Sequence, residues 1–120
     1  MKKYLSLALC VFVLTATANT AQAFDKKDLA KLKKTNQCIR CKLIEAYLRG
    51  ANLQKATLRR ANLYMAMLDG ADLRRAELTD ANLGGAILGG ANLTKADLTR
   101  AYPYFIGLTP KVSHLGIDPT

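Results

Sequence analysis

Two cysteines three residues apart, in Cys38-Ile39-Arg40-Cys41, are the side chains of this sequence best suited to chemistry. Such a pair can attach haem, ligate zinc, exchange thiol for disulfide, or form a structural crosslink, and the surrounding residues discriminate among these. Haem attachment calls for His after the second Cys, where Lys42 stands. A zinc site needs two further ligands, and downstream of the pair there is only His114 and no third Cys. A dithiol redox centre needs a βαβ setting, which the residues that follow do not supply. What remains is a structural disulfide, reasonable in an oxidising compartment, pinning the segment before it to the structure after it. Its loop is small, so its entropic stabilisation is modest. Redox exchange stays as the weaker alternative. His114, the single His, has no Ser-Asp or Cys partner at a recognisable spacing and reads as a tail residue. With no paired carboxylates in a cleft and no phosphate loop, the sequence reads as non-enzymatic, with no cofactor and no metal.

Any working residue must instead be positioned by a repeat. Residues 41–100 run in fives without a gap: CKLIE, AYLRG, ANLQK, ATLRR, ANLYM, AMLDG, ADLRR, AELTD, ANLGG, AILGG, ANLTK, ADLTR. The third position is Leu in all 12 units, and the first is Ala in 11, Cys41 being the exception. The second is Asn or Asp at Asn52, Asn62, Asp72, Asn82, Asn92 and Asp97. A helix turns about 100° per residue, so a period of five leaves it no fixed apolar face. A plain strand has period two, so an odd repeat would send successive Leu to alternate sides. The conflict vanishes if each unit is a short extended piece followed by a bend. Every Leu then points inward, Asn and Asp bond to the nearby turn backbone, and Ala leaves room where the chain crowds.

With these residues in view, the tandem A-(D/N)-L-X-X resembles the pentapeptide-repeat proteins, over 60 of the 120 residues. The resemblance implies an all-β fold, a right-handed quadrilateral β-helix with four units per coil and about three coils. Its core stack would be Leu43, Leu48, Leu53, Leu58, Leu63, Leu68, Leu73, Leu78, Leu83, Leu88, Leu93 and Leu98. Regular coiling is expected to stop at Pro103, which cannot donate a ladder hydrogen bond.

The ends read differently. Residues 1–23 have the form of a secretory signal: Lys2 and Lys3, an apolar run from Leu5 to Leu14, and Ala21-Gln22-Ala23 as the cleavage site. The run is short for a membrane span, and Leu9 is too large to precede a lipidated Cys10. Export to the periplasm or beyond is therefore expected, with no transmembrane span in the mature chain. Removing the signal leaves 16 basic against 9 acidic side chains, a net of +7. Residues 24–40 form a cap segment, with Asp25 as helix N-cap and Leu29 and Leu32 on one face. Residues 101–120 form a C-terminal cap and loop-like tail, with Tyr102, Tyr104, Phe105 and Ile106 over the last coil or against a second copy.

Four units per coil stack residues twenty apart into outward columns. Tyr47, Met67 and Ile87 make one, with Tyr64 and Met65 a corner away beside Gly84-Gly85. These two sides hold Lys42 and Arg49 against Glu45 and Asp69, a net of zero. The other two sides carry Lys55, Arg59, Arg60, Arg74, Arg75, Lys95 and Arg100 against Asp72, Glu77, Asp80 and Asp97, a net of +3. The apolar stripe is the candidate surface for a protein partner or self-association. The cations Lys55, Arg75, Lys95, Arg59, Arg60 and Arg100 are the candidates for an anionic envelope polymer or lipid. Nucleic acid is disfavoured, because no aromatic side chain stands among the Arg residues. Some proteins of the resembled family mimic DNA and bind type II topoisomerases, but that needs an acidic rod in the cytoplasm. The leading reading is an exported structural or interaction module, with a cationic envelope-binding module as the alternative.

Overall fold

The computed structural model describes residues 23–101. The expected signal peptide up to Gln22 and the tail from Tyr102, His114 included, lie outside them. From Leu43 onward the chain makes the same move every five residues. The N–H of each first-position residue donates to the carbonyl of the Leu three before it, from Ala46 to Leu43 (3.1 Å) through Ala101 to Leu98 (2.9 Å). The fifth position turns each corner. All 13 fifth positions from Arg40 to Arg100 have positive φ, between 54° and 68°, the left-handed conformation that a type II turn requires. Glycine takes it freely at Gly50, Gly70, Gly85 and Gly90, but nine charged or bulky residues adopt it too.

Four such corners bring the chain back over itself. Nine parallel bridges, from Gln37 with Thr57 to Glu77 with Asp97, all join second positions twenty residues apart. Three backbone bonds per unit tie the coils: Leu43 N–H to Asn62 O (2.8 Å), Asn62 N–H to Cys41 O (2.9 Å) and Glu45 N–H to Tyr64 O (2.8 Å), a pattern repeated along the stack. Each extended piece is too short for a continuous strand, so the described residues form a β-helix of single bridges. The core is the two inward positions: every Leu from Leu43 to Leu98 is buried, with the first-position alanines between them, Ala51 and Ala101 only partly so.

The solenoid starts one unit earlier than the regular register suggests. Residues 36–40 obey the same pattern: Cys38 N–H donates to Thr57 O (2.7 Å), Arg40 N–H to Arg59 O (2.9 Å), and Thr57 N–H to Asn36 O (3.0 Å). Cys38 occupies the Leu position and Cys41 the Ala position. The boundary at residue 41 is therefore corrected to residue 36, because a cysteine fills the place where leucine marks every later unit. The cysteines form a disulfide, Cα atoms 5.3 Å apart, across one corner of the coil. It does not pin a separate cap to the first coil, since Cys38 already belongs to that coil.

Before it lies α1 (Lys26–Thr35). Asp25 caps its start by accepting from Lys27 N–H at 2.8 Å, and Asn36 ends it at φ 58° with its N–H bonded to Leu32 O. Asp28 in the first turn and Lys33 and Lys34 in the last complement the helix dipole. Leu32 is buried and joins the same core cluster as Cys38 and the coil leucines. The open coil edge is covered as well: Phe24 pairs with Leu43, Asp25 N–H donates to Lys42 O, and Asp28 Oδ2 accepts from Lys42 N–H.

Candidate interaction surfaces

The second and fourth positions point outward, and the second-position Asn and Asp stiffen what lies next to them. Asn52, Asn62, Asp72, Asn82, Asn92 and Asp97 each accept, through Oδ1, the backbone N–H two residues on, at 2.9–3.2 Å. The fourth-position side chains thus project from a braced corner.

On the neutral half the bridges stack Tyr47 on Met67 and Met67 on Ile87. Tyr47 is 63% exposed and meets Phe24 edge to face, ring centroids 6.5 Å apart; Met67 and Ile87 are half-buried. Tyr64 (46% exposed) and Met65 (44%) stand around the corner. The Tyr64 ring lies over Gly84, where an added Cβ would come within 3.2 Å of Cδ2. The same Cβ would sit 3.1 Å from Asn82 Oδ1, so a side chain here would require the ring and the Asn side chain to give by a few tenths of an ångström. The charges here cancel locally, Arg49 Nε reaching Asp69 Oδ2 at 3.0 Å one coil away. Ile39, 52% exposed, belongs to the charged half, beside Arg40, Arg59 and Arg60, and its unit lacks the leucine that marks the others in the sequence.

On the charged half the six candidate cations separate into two groups. Asp80 sits between Arg100 (2.7 Å) and Arg60 (3.8 Å), and the Arg100 hydrogen bonds hold its carboxyl below the ordinary carboxylate range. Arg74 grips Asp72 at 2.7 Å, with the same effect on that carboxyl. Asp97 is lowered first by the Thr99 hydroxyl, then by the Thr99 N–H, with Thr79 and Arg59 contributing less. Arg59, Lys55, Arg75 and Lys95 enter none of the ion pairs among the described residues, the last three sharing one column. A groove of about 310 Å³ lies beside the last two, lined by Gln54, Arg74, Arg75, Thr94 and Lys95.

Both cysteines of the disulfide are enclosed, Cys38 at 0% and Cys41 at 3% exposure. An attacking thiolate needs access to a sulfur, so this geometry suits a fixed crosslink better than an exchange centre. Among the described residues no three of His, Cys, Asp or Glu converge, and no helix is long and apolar enough to cross a membrane.

A family model described as pentapeptide repeats matches residues 37–75 and 76–102, in 8 copies. Among solved structures the chain is similar to HetL, a pentapeptide repeat protein involved in heterocyst differentiation regulation from the cyanobacterium Nostoc sp. strain PCC 7120. The identity is 34% over 57% of this chain and 45% of that one, with a TM-score of 0.25, so the chain spans under half the length of that protein. No curated protein matches.

Proposed function

The chain belongs to the pentapeptide-repeat family, and we propose that it is an exported, non-enzymatic interaction module whose working part is the outer wall of the solenoid. The family form supports a right-handed, four-sided helix of about three full coils, with α1 as its N-terminal cap. Export is supported by the leader-like residues 1–23 and by a buried cysteine pair joined as a disulfide. A core filled by Leu and Ala leaves the exterior as the place where a partner can be met.

One observation carries the reading. While every core leucine is covered, Tyr47, Tyr64 and Met65 remain 44–63% exposed around the half-buried Met67, on a wall whose charges cancel. Interface cores favour aromatics and Met and exclude charge that is costly to desolvate. The wall therefore suits a protein partner or a second copy of the chain. The test is sedimentation and co-purification of the wild type, Met67→Glu and Arg75→Glu. Met67→Glu should weaken association about 10-fold or more, the effect of losing a central contact. Arg75→Glu should leave it intact, and the reverse pattern would defeat the assignment.

A further inference from the structure

Lys55, Arg75 and Lys95 hold the fifth position of one corner in successive coils. Lys55 N–H donates to Arg74 O at 2.8 Å and Arg75 N–H to Thr94 O at 3.0 Å, so the three corners are locked in register. Coils spaced as paired strands set them about 4.8 Å apart at the backbone. Each has φ of 58–60°, a conformation unfavourable for any residue with a side chain. The preceding corner takes the unstrained solution in every coil, with Gly50, Gly70 and Gly90. This one takes a long cation in every coil.

The neighbouring acids do not neutralise the column. Asp72 is held by Arg74, Asp80 by Arg60 and Arg100, and Asp97 by Thr99 and Thr79, while Glu77 enters no ion pair among the described residues. They do narrow it, because Asp72 stands on one flank and Glu77 and Asp97 on the other. The positive strip is one chain wide. A flat anionic lipid surface would press against those acids, whereas a single strand would not. Within the groove beside Arg75 and Lys95, Gln54 offers an uncharged amide, and the Thr94 hydroxyl, which donates to Asn92 Oδ1 at 2.6 Å, can still accept. The sides bearing residues 51–60, 71–80 and 91–100 contain no aromatic residue on which a nucleobase could stack.

We propose that this column binds one strand of an anionic polysaccharide along the solenoid axis, with carboxylates on successive sugars meeting Lys55, Arg75 and Lys95. The site lies on the half opposite the apolar wall, so neither assignment depends on the other.

The experiment uses the purified full chain, with polygalacturonate as probe, neutral dextran as control, and single-stranded DNA and phosphatidylglycerol vesicles as competing classes. Polygalacturonate should bind most tightly, and its affinity should fall with added salt, as ion-driven association does. Lys55→Gln/Arg75→Gln/Lys95→Gln should weaken it about 10-fold or more and flatten the salt dependence. Lys26→Gln/Lys27→Gln/Lys31→Gln removes the same charge from α1 and should leave most of the affinity. The conservative Lys55→Arg/Lys95→Arg should bind as wild type, and circular dichroism should show all variants folded. Equal loss in the α1 variant would reduce the effect to net charge and overturn the proposal. Binding of dextran as tight as that of polygalacturonate, or tighter binding of DNA or vesicles, would overturn it too.

Discussion

Replacing Leu73 with Ala is the sharpest probe of the inward register. Leu73 is fully buried in the middle coil, with Leu53 and Leu93 twenty residues away on either side. Its own N–H is bonded to Asn92 O at 2.8 Å, and Asn92 N–H is bonded to Ala71 O at 2.9 Å. Those ladder bonds stop the wall from collapsing into the space a smaller side chain leaves. The cost should therefore fall in the upper part of the range of about 2–5 kcal/mol seen for buried Leu→Ala. At about 4–8 °C per kcal/mol for a domain of this size, thermal unfolding followed by β-type circular dichroism should drop by well over 10 °C. Leu98→Ala, in the last described unit and 8% exposed, should cost less. Thr79→Lys should be nearly silent, losing one hydrogen bond to Asp97 at 3.1 Å. A loss under about 1 kcal/mol at Leu73, or one matched by Thr79→Lys, would refute a tightly filled inward stack.

Other perturbations follow from the same geometry. Glu45→Gly relieves a residue at φ 57° and should raise the unfolding midpoint, by up to about 1 kcal/mol in stability. Asn62→Ala removes the acceptor for Tyr64 N–H and should cost about 1 kcal/mol in a urea titration. The carboxyl of Asp80 is depressed in the folded chain, so its contribution is present above the unfolded value near 3.8 and lost as pH falls through the lower folded value. Acid unfolding of Asp80→Asn should accordingly show a weaker pH dependence in that window. Mass spectrometry of protein purified from its native host should find Phe24 at the N-terminus and two hydrogens fewer than the free-thiol mass. Met1 intact with free thiols would defeat the export proposal.

What could be read in the sequence was whatever repeats without exception. Twelve leucines in register demand one inward direction, and the parallel bridges twenty residues apart are the form that demand takes. The outward columns came with it, since stacking at a fixed interval is arithmetic once the coil length is known. Pairing was not legible. Lys55, Arg60 and Arg100 look alike in sequence, yet Asp80 occupies the last two and leaves the first free. That division depends on which residues share a column and how far each side chain reaches. Left-handed corners were hidden for a related reason. The nine side chains that adopt them include Arg, Lys, Glu and Met, none of which announces positive φ as glycine does.

The cysteine pair marks where pattern reading and physics part. Sequence comparison within the repeat makes Cys41 an exception to Ala and leaves Cys38 outside, so the crosslink looks like a tether between two parts. In the fold both residues occupy inward positions of the first coil, adjacent across one corner. A Leu and an Ala at those two places would meet only through van der Waals contact. The disulfide instead closes covalently the unit that has no coil beneath it, directly under the helix that covers it. Reduction should then loosen the N-terminal coil and α1 while leaving the ladder from Leu63 onward bonded as before. Hydrogen exchange with and without reductant would show it: protection should fall at Cys38, Arg40 and Leu43 and hold at Leu73. Uniform loss of protection along the whole stack would mean that the crosslink supports the entire solenoid and that the coils do not hold independently.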